Sequence, residues 1–449
     1  MTDSVAFIHL SDIHFGQEKN GFLHINNDVK AQLIEDVRRF VGTLPNKKVS
    51  GVLVTGDIAF SGKAAQYQDA GTWLDLLTAA GGCDRTAVMM VPGNHDIDQA
   101  TIDKGAQLML DDIRNNGQAS LEGFLETDHD RDTLYRRFEA YQPFALAYNC
   151  PLDREGGRPE AQSYYLTPDQ SRVLRFVGLN SALTCRKKDE KGHLLLGRRQ
   201  WPIACEDHEE VVVLIHHPLD WLKDSTDAKG YILNRARVLI TGHEHDPKLE
   251  VLDLEHGGQL MMLAAGAAAR PENETEVAYT YNVLEFAWVA EEEALAVTVH
   301  PRAWMPERKQ FGPDDTRLGG RNRVVMLRRP TPPGEEAIEV SRVPDEVSLQ
   351  VSPSIEQEIL RPNDDMNSAP DIYPQLRYRF FRALSPRQRV AVLVALDVLP
   401  ADFSPPLTHA DETRALDSLR HGDGLERLKH AIDEQSQISK SIPTKDSGR

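Results

Sequence analysis

The stretch Val5-Ala6-Phe7-Ile8-His9-Leu10, followed by Ser11-Asp12-Ile13-His14, shows the pattern that decides the fold of this chain. A short apolar run is typical of a buried strand, and here residues able to bind a metal follow directly after it. The same pattern recurs four times: residues 49–55 precede Asp57, 86–91 precede Asn94, 211–215 precede His216, and 237–241 precede His243 and His245. Because the carboxyl ends of strands in an open α/β sheet line one edge, these side chains are expected to converge.

Helical patterns lie between the first strands. Apolar residues recur at helical spacing in residues 28–41 and 64–80. Strands that alternate with helices predict an α/β layered fold. Further strands are predicted at residues 173–179, 259–264, 280–289 and 294–300, where short connections indicate a mixed sheet.

The composition is that of a globular chain and excludes two broad classes of protein. Hydrophobic residues make up 40% of the 449 residues, too many for a chain that is disordered throughout. No stretch approaches the roughly 18 apolar residues of a membrane span. The net charge of −18 disfavours broad contacts with nucleic acid or an anionic membrane. The start of the sequence has no signal-peptide pattern and the four cysteines are not closely paired, so a cytoplasmic location is expected.

Changes in composition along the chain predict two domains. Residues 1–329 would form a large domain, in which residues 97–169 are an insertion with a helix near 132–148, serving as a cap or as plain scaffold. Residues 330–372 are rich in Pro, Glu, Asp and Ser and are expected to be a linker. Residues 373–435 regain helical spacing and predict a small all-α domain, followed by a disordered tail at 436–449.

The residues after the predicted strands form a coherent set of candidate metal ligands. Imidazole nitrogen and carboxylate oxygen suit Mn, Fe, Zn, Ni or Co, as divalent or trivalent ions. Seven ligands are too many for one tetrahedral ion but suit two ions that share a carboxylate. Each residue taken alone is more often a packing or turn residue, but the recurrence after five strands favours metal binding. The candidates are Asp12, His14, Asp57, Asn94, His216, His243 and His245.

The strand ends read Asp12-Ile13-His14, Gly56-Asp57, Gly93-Asn94-His95-Asp96, His216-His217-Pro218 and Gly242-His243-Glu244-His245. This ordered set, within roughly residues 1–305, resembles the calcineurin-like metallophosphoesterases, also called binuclear metallophosphatases. The resemblance implies an αββα sandwich with a dinuclear site at its rim, and the small all-α C-terminal domain predicted above lies beyond the residues that carry it. It implies that one ion binds Asp12, His14, Asp57 and His245, and that the other binds Asp57, Asn94, His216 and His243. His217 is the alternative to His216, which is preferred because family ligands lie two residues before the proline.

The resemblance also implies a mechanism. A hydroxide between the two metals attacks phosphorus, His95 assists the leaving group, and Asp96 orients the imidazole of His95. Asp96 has an alternative role as a helix cap. Asn94, His95 and Arg270 would contact the phosphate group of the substrate.

These implications predict a metal-dependent phosphohydrolase, with phosphodiester cleavage preferred over monoester cleavage. The expected substrates are a cyclic nucleotide, a nucleic-acid strand or another small diester. One alternative is a nuclease effector of a bacterial defence system that uses the same site. The other is a non-catalytic metal-binding scaffold, which is disfavoured because such a protein would be expected to lose ligands.

The C-terminal segment carries a second, shorter resemblance. Phe380-Phe381-x-x-Leu384-Ser385-Pro386 and Leu425-Glu426-Arg427-Leu428 are similar to cues in small helical effector-associated or death-like adaptor domains of bacterial conflict systems. This resemblance implies a protein partner for the C-terminal domain. The alternative is an ordinary helical appendage that packs on the catalytic domain or dimerises.

Overall fold

The structure is a computed structural model of the chain. It describes residues 4–17, 24–254, 258–269, 278–320, 322–328, 372–400, 403, 407, 409–421 and 423–441. Within these ranges no helix combines the length and the apolar character needed to cross a membrane.

The first sheet has seven strands in the described residues and is mixed, with its parallel strands on one side. The strand order is β12-β11-β10-β1-β2-β3, with β13 paired to β11. Strands β1, β2 and β3 run parallel, so their carboxyl ends lie at the same edge, whereas β10 runs antiparallel to β1. The bounds are β1 Ser4–Leu10, β2 Gly51–Thr55, β3 Val88–Val91, β10 Thr280–Val289, β11 Ala294–Met305, β12 Gln310–Pro313 and β13 Arg323–Arg328.

In the part of the chain that the structure describes, the second sheet has six strands in the order β4-β5-β6-β7-β9-β8. Its central strands β5, β6, β7 and β9 are parallel, and the two edge strands β4 and β8 are antiparallel to their neighbours. The bounds are β4 Gln162–Tyr165, β5 Val173–Leu179, β6 Glu209–Ile215, β7 Ala236–Thr241, β8 Lys248–Asp253 and β9 Gln259–Ala264.

The two sheets pack face to face through a cluster of aromatic rings. Phe7 on β1 meets Phe176 on β5 with ring centroids 4.8 Å apart, and Phe286 on β10 lies 5.9 Å from the same Phe176. Helices α1 (His24–Val41) and α2 (Ala64–Gly81) pack beside the first sheet, and α7 (Ser225–Arg235) packs beside the second. The predicted αββα layered fold is therefore confirmed.

The insertion at 97–169 folds as several short helices: α3 Lys104–Asn116, α4 Gln118–Glu126, α5 Asp128–Tyr135 and α6 Tyr141–Ala147. The single helix predicted near 132–148 is wrong, because the chain breaks between α5 and α6. Arg137, fully buried in that break, donates to the backbone carbonyls of Leu134, Leu183 and Cys185. Pro143 has no backbone N–H and is tolerated in the first turn of a helix, which favours a new start at Tyr141.

Where the structure describes it, the C-terminal segment folds as four α-helices, α8 Tyr373–Ala383, α9 Pro386–Ala395, α10 His409–Asp417 and α11 Gly424–Ser441. Ser385 is the N-cap residue of α9 and Pro386 is its first residue. The tail expected from residue 436 is wrong at its start, because α11 continues to Ser441. The hydroxyl of Ser436 donates to the carbonyl of Ile432 at 2.7 Å within that helix. The predicted linker, apart from residue 372, and residues 442–449 lie outside the described residues.

The helical segment packs on the two-sheet domain through α8. The ring of Tyr378 lies edge-on to that of Tyr148, with centroids 5.5 Å apart, and its hydroxyl donates to Asp75 on α2. Gln375 donates to Asp84 Oδ2 at 2.6 Å. Because α8 packs against α6, this part of the insertion is scaffold between the two units.

Candidate metal centre

Three of the five turns that carry the candidate ligands share an uncommon backbone conformation. φ is 55° at Asp12, 51° at His14, 53° at Asp57, 72° at His243 and 56° at His245. Positive φ at a residue other than glycine costs on the order of 1–3 kcal/mol and often marks a functional site. Strain concentrated at these strand ends indicates that the positions of the side chains there matter more than a low-energy backbone conformation.

Backbone hydrogen bonds hold the first two turns together. The N–H of Asp12 donates to the carbonyl of Gly56 at 3.0 Å. The carbonyl of Asp57 accepts from the N–H groups of Ile13 and His14 at 2.9 and 3.0 Å. Gly93 follows β3, and a Cβ there would overlap the Asp57 carboxylate, so the glycine lets the third turn approach the second.

Asp12, His14 and His245 form the first group of ligand atoms, which lie within 4.8 Å of one another. Asp12 Oδ1 is 3.1 Å from His245 Nε2 and 3.9 Å from His14 Nε2. Both ring nitrogens of His14 are buried and, within the described part of the chain, have no hydrogen-bond partner. Buried polar atoms are almost always satisfied, so this ring fits a ligand to an ion beside Asp12.

Asp57, Asn94 and His216 meet next to this group. His216 Nε2 lies 3.4 Å from Asp57 Oδ2 and 3.3 Å from Asn94 Oδ1. His216 Nδ1 lies 2.7 Å from the carbonyl of Thr55, which only accepts, so Nδ1 carries the proton. Although burial opposes a charge on this ring, Asp57 raises the pKa of His216 to about 9, so Nε2 carries a proton that points toward two oxygens. A cation bound between these atoms would take the place of that proton.

Two histidines at this centre differ in their surroundings. The ring of His216 faces Asp57 and Asn94, whereas His217 Nδ1 lies 2.8 Å from the hydroxyl of Ser181. Burial lowers the pKa of His217 well below its usual value, so this ring is neutral. His217 also belongs to a group of ligand atoms with His216 and His243, and its Ser181 contact distinguishes it from His216.

The electrostatics of the centre are those of an anionic cluster. Burial opposes ionisation of Asp57, but the nearby charge of His216 and their hydrogen bond hold its pKa well below the usual range. Burial likewise opposes ionisation of Asp12, and its hydrogen bond with His245 lowers its pKa to about 2. Burial lowers the pKa of His14 and of His243 to about 4 in each case. Two ionised carboxylates beside the neutral rings of His14 and His243 are a donor set that transition-metal ions take.

His95 lies over this centre, and its ring is oriented by a different partner from the expected one. His95 Nδ1 is 2.8 Å from the carbonyl of Phe60, so Nδ1 donates and Nε2 is left for the site. The N–H of His95 donates to Asp57 Oδ1 at 2.8 Å, which fixes its backbone against a candidate ligand. The ring is 4.8 Å from the ring of His14.

The prediction that Asp96 orients the imidazole of His95 is wrong, because the carboxylate of Asp96 contacts other groups. The Asp96 carboxylate accepts from the backbone N–H groups of Ile58, Ala59 and Gly93 at 3.2, 2.9 and 2.9 Å. The hydroxyl of Tyr67 donates to the same carboxylate at 3.1 Å. Asp96 therefore joins the Asp57 turn to the Asn94 turn, and the carbonyl of Phe60 holds His95. The sequence alone does not distinguish an aspartate that joins two turns from an aspartate that orients a histidine.

Other predicted and unpredicted residues complete the rim. Arg270, the expected phosphate contact, lies outside the described residues. Sequence reasoning missed Trp221, whose ring meets that of His243 edge-on at 4.2 Å and whose indole N–H donates to Glu244 at 3.3 Å. It also missed Phe60, an apolar residue in a turn with no periodicity to reveal it.

Comparison with known proteins bears on both parts of the chain. Residues 5–247 match the model of the calcineurin-like phosphoesterase family, and residues 372–434 match the model of the GTPase-associated adaptor domain. YydB of Bacillus subtilis (strain 168), described as a metallophosphoesterase-like protein, is 25% identical over 291 residues. That match covers 60% of this chain and 55% of YydB, so the chain spans about half the length of that relative.

Solved structures with similarity to this chain include two phosphatase-type enzymes. The purple acid phosphatase PPD1 from yellow lupin (Lupinus luteus) seeds is 11% identical, with a TM-score of 0.38, and the match covers 68% of this chain and 52% of that one. A putative 5′-nucleotidase from Staphylococcus aureus is 14% identical, with a TM-score of 0.33, and the match covers 70% of this chain and 55% of that one.

Proposed function

The chain belongs to the calcineurin-like phosphoesterase family, and from this premise we propose that it hydrolyses phosphate esters with two metal ions at the rim of its sandwich. One ion would bind Asp12, His14, Asp57 and His245. The other would bind Asp57, Asn94, His216 and His243, so that Asp57 bridges. The observation that carries the proposal is the buried ring of His14, whose two nitrogens lack a hydrogen-bond partner among the described residues while ionised carboxylates lie beside them.

The chemistry divides between the ions and the side chains. When bound, two such ions hold phosphate oxygens and lower the pKa of a water molecule enough to supply a nucleophile. His95 donates through Nδ1 to the carbonyl of Phe60, which leaves Nε2 to protonate the departing oxygen of the ester. Asn94 and His95 are proposed to contact the phosphate group, because both lie on the turn after β3 that Asp57 and Asp96 hold in place.

We propose phosphodiesters rather than monoesters as the preferred substrates. The candidates are a cyclic nucleotide, a nucleic-acid strand and another small diester, and Mn, Fe, Zn, Ni and Co are the candidate metals. A nuclease effector would use the same centre on a strand end. Cyclic nucleotides, single-stranded and duplex nucleic acids and bis(p-nitrophenyl) phosphate, compared under each metal, distinguish these substrates.

A turnover assay tests the activity itself. The full chain, loaded with Mn²⁺ and checked for two ions per chain by metal analysis, is expected to hydrolyse bis(p-nitrophenyl) phosphate. Two bound ions without turnover of this diester or of any substrate in the screen would overturn the proposal and favour a metal-binding scaffold.

The match at residues 372–434 supports a role for the C-terminal helices in binding a protein. We propose that residues 373–435 form an interaction domain attached to a catalytic domain at 1–329. Its α8 is occupied by contacts with α2 and α6, so a partner would use the surface of the helices that face away from the catalytic domain.

A further inference from the structure

Phe60 is an aromatic residue that lies in an unexpected place, with 41% of its surface exposed beside a polar centre. Its ring stacks on the ring of His95, with centroids 5.5 Å apart and planes 25° apart. The same ring lies 6.3 Å from the ring of His14, edge to face. Phe60 therefore borders the part of the site where His95 would meet the leaving group.

The backbone holds this ring in a fixed position. The N–H of Phe60 donates to the carbonyl of Phe15 at 3.0 Å, and its own carbonyl accepts from His95 Nδ1 at 2.8 Å. The next residue, Ser61, donates through its N–H to Gln66 Oε1 at 3.0 Å on α2. These contacts anchor the backbone on both sides of Phe60, and the stacking on His95 positions its ring.

The contact with His95 does not require an aromatic side chain. The carbonyl of any residue at this position would orient the imidazole, because the hydrogen bond uses only the backbone. The phenyl ring fills no core position, and burying it against a ligand would recover apolar surface that water now contacts. A phenyl face is suited to stacking on a planar group. Each nucleobase offers such a π face, so any of the bases can stack on the ring.

We propose that Phe60 stacks on the nucleobase of a nucleotide-type substrate whose phosphate lies at the metal centre. The inference rests on the proposed function and names its substrate class. Phe60 is then a specificity-determining residue, which selects esters that carry a base close to the phosphate over esters that carry only a sugar or an alkyl group.

Binding of two probes to the Mn²⁺-loaded full chain, measured by calorimetry, tests the inference. Adenosine 5′-monophosphate carries a base, and ribose 5-phosphate presents the same sugar and phosphate without one. The wild type is expected to bind the nucleotide roughly tenfold more tightly, as one base–aromatic stack provides. Phe60→Ala is expected to reduce this ratio to near one while the affinity for ribose 5-phosphate stays unchanged, and Phe60→Trp is expected to keep the preference.

The matched control is Leu108→Ala, which removes another exposed apolar side chain, on α3, and is expected to keep the wild-type ratio. A preference that survives in Phe60→Ala, or a loss of both ligands to the same degree, would overturn the inference. Equal binding of the two probes to the wild type would overturn it as well. Turnover of bis(p-nitrophenyl) phosphate, followed on the same samples, shows separately whether the proposed function itself fails.

Discussion

The hydroxyl of Tyr67 lies 2.9 Å from the backbone carbonyl of Asp96 and 3.1 Å from its Oδ1 atom. This contact ties α2 to the turn that carries Asn94 and His95. Asp96 in turn holds the N–H groups of Ile58 and Ala59, just after Asp57. Three separate segments are thus joined by one buried carboxylate, directly behind the proposed ligands.

Tyr67→Phe removes the only side-chain hydroxyl that donates to Asp96 in the described residues. Burial, with the charge of Asp57, already raises the pKa of Asp96 to about 6, so losing a donor leaves a costly buried acceptor. We expect the free energy of unfolding to fall by about 1–3 kcal/mol, measured by denaturant titration of the full chain. The exposed Tyr165, changed to Phe, is the matched control. Unchanged stability in Tyr67→Phe would contradict the role given to this contact.

The contrast between Asp57 and Asp96 shows which parts of the site can be predicted from the sequence. Asp57 follows a five-residue buried strand, and parallel pairing of β1, β2 and β3 brings the residues after each strand to one edge. That placement follows from pattern and topology alone. The partners of Asp96 and His95 depend on how three turns fold over one another, which no spacing in the sequence encodes. The break before α6 could not be predicted for the same reason. Arg137 is buried there and donates to backbone carbonyls that are distant in sequence, but the sequence alone does not distinguish it from a solvated basic residue.

Asp57→Asn tests the proposed bridge with little change in shape. The amide oxygen can still accept from the N–H of His95, but the negative charge shared between two ions is lost. We expect both metal sites to weaken, by more than the roughly 10–100-fold that a change in an outer partner of a ligand costs. Metal analysis of the full chain after gel filtration measures this. Glu291→Ala, an exposed carboxylate far from the centre in sequence, should keep the wild-type metal content. Full metal content in Asp57→Asn would exclude the bridging role.

Glu412 provides a pH-dependent test of the C-terminal helices. Burial would raise its pKa, but hydrogen bonds from His409 at 2.9 Å and Arg389 at 2.8 Å lower it below the usual value. A lowered pKa in the folded state means that the stabilisation is present above the ordinary pKa of a glutamate and is lost as the pH falls through the folded value. We therefore expect acid to loosen α9 and α10.

Glu412→Gln removes the charge and should destabilise these helices at pH 7 by about 3 kcal/mol, because Arg389 is left buried without its partner. Hydrogen exchange of α9 and α10, followed by mass spectrometry and corrected for the intrinsic rate, reports the local stability. The difference in local stability between the wild type and the variant should shrink as the pH falls below the ordinary pKa of a glutamate. A difference that stays constant with pH would show that the ion pair is not its source.

His95→Ala separates proton donation from metal binding. No contact of His95 with the metal ions is proposed, so metal content should stay at the wild-type level. The turnover number should fall by about 10²–10⁴-fold for an ester with an alkoxide leaving group, because loss of a general acid has this effect. The loss should be much smaller for bis(p-nitrophenyl) phosphate, whose leaving group departs without a proton. Rates for the two classes of ester, measured on the metal-loaded full chain, give the comparison, and an equal loss for both would assign His95 to positioning instead.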